Sequence, residues 1–444
     1  MRTSIISSLA VLGLYLGVVP AECQTTAPST AVFGGSQTRN GQGDGLGLSL
    51  SAYEAYDDDV LAGTTGSGTP NQPSIASRQS GLYSGLAVGL LYARSGDTSN
   101  IRSWANSAIA YYPDQSDLTA TYHQLGLAFS APLGSRVRVS GSPFADYRPY
   151  YSLRLLPVSA VPEPDPALAI SEGAPLPSPE IDYTRIQRNS YRYGGNFGLG
   201  VSVTNRLGLA INYGHVQTAA DEGLVDTRVQ GGGGGLTYRL TRNASLRASY
   251  SRYEASHEVL DRRPTETQNI TIGINYNKPL SITRRTHLEF GTGSAIAEDT
   301  GGNRRFQALG SALLRHQMGR TWSARADYRR EFGYLEGFAQ PVLSDSVGGG
   351  FGGLMSPRVE FSADTRYFNG AIGLTPNAPR FDTYSAWVRV RTGLNRSLAA
   401  YAEYFFYHYE FADAVARPAG LPPRYSRQGV RVGLTLWVPL MGRR

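Results

Sequence analysis

The chain is poor in three things. Cysteine is the first: Cys23 is the only one in 444 residues, so a disulfide framework or a cysteine-based zinc site is excluded. Charge is the second. Charged residues make up 17% of the chain, against roughly 25% in an ordinary soluble domain. The net charge of +7 is mild for this length, and Lys278 is the only lysine. No dense basic run is present, so the footprint of a nucleic-acid binder is missing. The third is a long apolar run. Beyond residue 24 no stretch approaches the ~20 residues a membrane-spanning helix needs. What is abundant is glycine (52) and tyrosine (28), a composition that suits strands and disfavours helices.

Motifs for chemistry are also missing. The six histidines (His123, His215, His257, His287, His316, His408) are scattered without metal-ligand spacing. The glycine runs lack the Lys-Ser/Thr ending of a phosphate loop, and no Gly-x-Ser-x-Gly elbow sits between strand and helix. The expectation is a protein that is not an enzyme, with no cofactor, no metal and no nucleic-acid partner.

Residues 1–24 read as a secretory signal peptide. Arg2 supplies the positive end, Ile5 to Val19 the apolar run, and Ala21 a small-residue cleavage position, with Cys23 as the alternative cut. Residues 25–43 read as a short polar periplasmic linker, and 44–441 as a single barrel.

The strand signal is alternation of period two. In Arg358–Tyr367, the residues Val359, Phe361, Ala363, Thr365 and Tyr367 alternate with Arg358, Glu360, Ser362, Asp364 and Arg366. Tyr384–Thr392, Trp322–Glu331 and Asn269–Tyr276 behave alike. Several strands exceed ten residues, longer than those of ordinary sheets, and one face carries charges of both signs or only small residues. Connections alternate short (for example Thr204–Arg206 and Asn395–Arg396) and long (for example Asp57–Gln79 and Ser152–Thr184). Eight short and nine long connections join eighteen strands, an even number as bacterial single-chain barrels require; sixteen is the alternative count. The predicted fold is all-β: a transmembrane antiparallel up-and-down barrel in the outer membrane, with short turns facing the periplasm.

If the apolar partners face lipid, the lumen face carries Arg138, Arg239, Arg247, His287, Glu289, Arg325, Asp327, Arg329, Glu331, Arg358, Glu360, Asp364, Arg366, Arg389, Arg391, Glu403 and Arg431. Arginine presents a fixed fork of donors to anions and sugar hydroxyls, which points to an anion-leaning pore. The other reading is a wall network in which opposite charges on neighbouring strands hold the sheet in register. Tyrosines near strand ends, such as Tyr111, Tyr112, Tyr191 and Tyr193, suit interfacial girdles. Tyr401, Phe405, Tyr407 and Tyr409 share the face of Glu403 and are the exception. The glycine runs Gly231–Gly235 and Gly348–Gly353 mark either wall curvature or room in the lumen. The connection Ser152–Thr184 holds seven prolines and the acids Glu163, Asp165, Glu172, Glu180 and Asp182. It is the candidate constriction loop, the plain alternative being a surface loop.

In the last strand, Arg431, Gly433, Leu436 and Val438 fill the pattern of polar residue, glycine and two spaced apolar residues that the barrel assembly machinery reads. On that strand and on the arrangement of the whole chain, the protein resembles bacterial outer-membrane barrels of the β-barrel porin type. Some relatives of that type belong to exopolysaccharide secretion. The resemblance implies outer-membrane lipid, the assembly machinery and periplasmic polysaccharide-export proteins as partners, and a conduit for polysaccharide or polar solutes. It leaves the oligomeric state open. A non-conducting scaffold barrel is the alternative.

Overall fold

The structure is a computed structural model. It describes residues 45–59, 80–96, 99–113, 118–150, 158–159, 187–220, 226–241, 244–257, 264–276, 285–298, 304–319, 321–334, 338, 340–375, 377–415 and 423–442. The signal peptide, the linker and the five loop acids Glu163, Asp165, Glu172, Glu180 and Asp182 lie outside the described residues.

Eighteen long strands run in chain order: β1 (Gly45–Asp57), β2 (Gly81–Ser95), β3 (Asn100–Tyr112), β4 (Leu118–Leu133), β5 (Val137–Tyr150), β7 (Gln187–Ser202), β8 (Leu207–Ala220), β9 (Thr227–Arg239), β10 (Ala244–His257), β11 (Thr265–Tyr276), β12 (Thr286–Glu298), β13 (Arg304–Met318), β14 (Trp322–Tyr334), β15 (Pro341–Ser356), β16 (Val359–Ile372), β17 (Arg380–Gly393), β18 (Leu398–Phe411) and β19 (Arg424–Gly442). A two-residue piece, β6 (Val158–Ser159), lies between β5 and β7 in sequence. Each long strand pairs antiparallel with its neighbours, and β1 pairs with β19 from Gly45↔Gly442 to Asp57↔Gly429, which closes the ring. Among the described residues there is no helix. Closure matters because a sheet in lipid must leave no edge unpaired.

Alternation sorts the two faces. Leu86, Ile211, Leu236, Ile270, Ile272, Val388, Val432 and Leu434 point outward and are exposed. Their sequence neighbours point inward and are mostly charged, aromatic or small. Short turns are built from side-chain oxygens. Thr204 Oγ1 accepts from the backbone N–H groups of Arg206 and Leu207. Asn395 Oδ1 accepts from those of Ser397 and Leu398, both at 2.8 Å. These are the local turns that Thr and Asn favour. In the β4–β5 turn Gly134 has φ +82°, a conformation that costs glycine nothing. Arg358 stands in the β15–β16 turn beside Pro357, not on the strand that the alternation assigned to it.

One ladder is incomplete. β13 and β14 pair only from Met318↔Trp322 up to Gly310↔Arg330. Above that point β13 continues on β12 as far as Glu298↔Arg304, and β14 continues on β15 as far as Tyr334↔Pro341. The two strands part. On the edge of β14 so freed, Gly333 and Tyr334 pair with Ser159 and Val158 of β6. β6 therefore sits seven strands round the ring from β7.

Candidate functional site: the inner wall

The inner wall from β16 to β3 is dense. Arg389 and Glu403 form a buried ion pair, with Nε donating to Oε2 at 2.6 Å. Arg431 reaches the other oxygen of Glu403 at 3.4 Å and donates to the Tyr83 hydroxyl at 3.3 Å. Its guanidinium lies 4.6 Å from the centre of the Tyr53 ring. Above this layer Arg427 holds Asp57, with Nε to Oδ2 at 2.6 Å. Below it Arg391 meets Glu360 at 3.3 Å. These four arginines face three acids, and Glu403 serves two of them. Trp387 Nε1 and the Nε atoms of Arg391 and Arg431 are buried donors without a hydrogen-bond partner.

Register explains how so much fits on one wall. Round one level, Tyr401 stands opposite Gly433, Gly433 opposite Tyr53, and Tyr53 opposite Gly85. Each ring leans over the neighbouring glycine. A Cβ on Gly85 would lie 2.0 Å from Cζ of Tyr53, and one on Gly433 would lie 2.9 Å from Cε1 of Tyr401. Gly433 thus has a packing role in addition to the assembly signal expected of it. Leu436 and Val438 of that expected signal belong to the outward-facing alternate set of β19, with Val432 and Leu434.

A second network spans β14 to β16. Arg325 donates to Asp364 Oδ2 at 2.5 Å, and Arg366 meets Asp327 at 3.5 Å. In both cases β15 lies between the partners. The pairs pass over Gly350 and Gly348, where an added Cβ would meet Arg325 Nε and Asp364 Oδ2 at 2.8 Å, or Asp327 Oδ1 at 2.7 Å. This glycine run makes room for ion pairs, not for an inserted segment. Arg329 and Glu331 lie on the same face, 3.9 Å apart.

The remaining expected residues stand apart. Arg239, Arg247 and Glu289 occupy inward positions near the short-turn end of β9, β10 and β12. The wall around them is otherwise small: Gly231, Gly233, Gly235, Ser249, Thr271, Gly291 and Gly293. The first glycine run is tight. A Cβ at Gly231 would lie 2.2 Å from the Arg252 carbonyl oxygen, and one at Gly233 2.6 Å from that of Tyr250, so the run serves close strand approach.

At the long-loop end, an apolar cluster caps the charged wall. Phe338, Val342, Phe368, Ile372, Phe381, Phe411 and Val415 are buried together. Sequence reasoning missed this cluster, because Phe338 and Val415 come from connections between strands. Alternation did point to Tyr407 and Tyr409, which pack with it.

A closed antiparallel cylinder with an apolar outer face and a polar inner wall defines the class: this is a transmembrane β-barrel of the outer-membrane type. No family model matches the chain, and no curated protein matches it. Solved structures do. The chain is similar to Pseudomonas aeruginosa OpdQ (12% identity, covering 89% of this chain and 98% of that one, TM-score 0.42). It is similar to Pseudomonas aeruginosa OccK2 (OpdF) in complex with glucuronate (11% identity, 90% and 100% covered, TM-score 0.43). It is similar also to Acinetobacter baumannii OccAB4 (10% identity, 89% and 99% covered, TM-score 0.40).

Proposed function

We propose that this protein is an outer-membrane pore for polar solutes, with a preference for anions. The observation that carries the reading is the cationic excess on the inner wall. Arg389, Arg391, Arg427 and Arg431 face Glu360, Glu403 and Asp57, and donors of Arg391, Arg431 and Trp387 are left over. The excess of guanidinium charge in this wall attracts solutes that carry a carboxylate, the group arginine pairs with most strongly. The small-residue wall opposite leaves the bore its width. The acidic, proline-rich connection is the constriction in this reading: it leaves β5 and pairs through β6 with β14 on another side of the ring.

Polysaccharide export has in its favour the inward rings Tyr401, Phe405, Tyr407 and Tyr409. Those rings pack on glycines, on arginines and on one another, which leaves few faces for sugars, so small polar solutes are the better fit. A scaffold barrel is the second reading, favoured by the apolar cluster that fills part of the lumen at the long-loop end.

The test is single-channel conductance and reversal potential of the folded protein in a planar bilayer, together with deletion of residues 155–182. Steady, anion-selective current supports the pore. Current only after deletion supports a gated pore. Silence in both, from a barrel that remains folded, supports the scaffold.

A further inference from the structure

One patch of the outer face breaks the apolar pattern. Glu54 of β1 belongs to the outward alternate set and is exposed. Its outward neighbours are Ala52 and Tyr56 on its own strand, Val430, Val432 and Leu434 on β19, and Leu82, Ser84 and Leu86 on β2. All but Ser84 are apolar or aromatic, and they lie above the carboxylate as well as below it. An ionisable side chain set among lipid-facing residues is costly and marks a function. Other acids on the outer face have cations of their own: Glu266 meets Arg252, Glu298 meets Arg304, and Asp345 meets Arg330. Glu54 meets only a neutral donor among the described residues, the Ser84 hydroxyl at 2.9 Å.

Beside this carboxylate lies a shallow groove of about 500 Å³. Its floor is Ala52 with the backbone of Gly85 and Gly433. Its lining follows two rows set by strand register. Glu54, Ser84 and Tyr111 form the row nearer the long loops. Leu434, Ala52, Leu86 and Ile109 form the row one outward position nearer the short turns. The groove is therefore polar at its long-loop end and apolar below. A lipid whose headgroup lies at the long-loop side of the membrane has the same polarity.

The missing partner of Glu54 is a cation, and this chain does not hold one in reserve. Arg252, Arg304 and Arg330 are taken, and Arg94, Arg228 and Arg424 stand at strand ends. A second copy of the chain thus brings no spare cation to this depth among its described residues. We propose that the groove is a binding site for a membrane lipid whose headgroup carries a primary ammonium group. The ammonium donates to Glu54, and one chain lies along Ala52 between Leu434 and Leu86. The carboxylate gains the charge-assisted hydrogen bond it lacks, and the chain fills a depression in an otherwise apolar surface. The proposal rests on the barrel lying in the membrane and is independent of whether its bore conducts.

Competitive acyl-chain quenching tests it. Leu86→Trp is reconstituted in equal mixtures of phosphatidylethanolamine and phosphatidylcholine, with bromine on the chains of one lipid or the other. The two lipids share the phosphate and the chains, and only the first has N–H donors. Ile272→Trp, exposed on the outer face of β11, is the control remote from the groove. The four native tryptophans set a common background. The expected result is that Leu86→Trp associates with phosphatidylethanolamine about threefold more strongly, the size expected of one exposed ion pair, while Ile272→Trp shows no preference. Glu54→Gln should remove the preference, and so should Ala52→Phe, which fills the floor and leaves the carboxylate in place. Equal quenching by the two lipids at Leu86→Trp overturns the proposal. So does a preference that Ile272→Trp shares or that survives Glu54→Gln. A preference that survives Ala52→Phe overturns the place given to the chain. If Leu86→Trp fails to fold, Ile109→Trp reads the same groove.

Discussion

From β16 round to β3 the inner wall is arginine, carboxylate and aromatic ring; from β9 to β12 it is largely glycine, serine, threonine and alanine. Both stretches lie in the same closed sheet and obey the same alternation. They differ in what an inward position is allowed to hold. On the dense side several rings are admitted because a cross-strand neighbour is glycine, as with Tyr53 over Gly85 and Tyr401 over Gly433. On the smooth side the strands approach so closely at Gly231 and Gly233 that side chains are excluded there altogether. A barrel can thus carry a filled, charged wall and still keep a bore, because the filling is placed on one side.

The sharpest way to break this comparison is to remove the acid that the dense side shares. Glu403→Gln leaves Arg389 and Arg431 facing each other with little compensation. Uncompensated buried charge costs about 3 kcal/mol, so urea unfolding followed by tryptophan emission is expected to shift to lower urea, with anion selectivity rising in the protein that folds. A smaller effect is expected at Gly350→Val. Its side chain would collide with the Arg325–Asp364 pair, and overpacking of this kind costs about 2 kcal/mol. Gly349→Ala, whose nearest neighbour is Thr365 Cγ2 at 3.8 Å, should leave unfolding unchanged.

On the smooth side the readout changes from stability to flow. Gly291→Leu meets only Ser311 Oγ at 3.5 Å, so the barrel should fold normally while conductance falls. Unchanged conductance would mean that the bore does not run along this wall. The smallest effect belongs to the outer surface. Glu298→Gln removes a pair with Arg304, whose side chain is 72% exposed, and such pairs are worth about 0.5 kcal/mol or less. A larger loss in the same unfolding assay would show that the paired ends of β12 and β13 carry more load than an exposed pair implies.

Much of this was legible in the residues. Alternation in Tyr384–Thr392 places Arg389 and Arg391 on one face and Val388 and Val390 on the other, and interleaved short and long connections give eighteen strands; the structure has both. Arg358 was misplaced because period-two reading cannot tell the last residue of a turn from the first of a strand. The rest was hidden because it depends on register between distant segments. Nothing near Gly350 announces that Arg325 and Asp364, thirty-nine residues apart, will meet above it. The burial of Phe332 against Ala295 and Ala297 breaks the alternation rule itself, since its position in the pattern is that of a lipid-facing residue. The pairing of Val158–Ser159 with β14 likewise leaves no mark in local composition.

The most direct test of the account is the reversal potential of the folded protein under a salt gradient, for the natural chain and for Arg389→Gln/Arg431→Gln/Glu403→Gln, which removes the central cluster as a unit. The account predicts anion preference in the natural chain and a weaker preference in the variant. Cation preference, or selectivity indifferent to loss of the cluster, would contradict it.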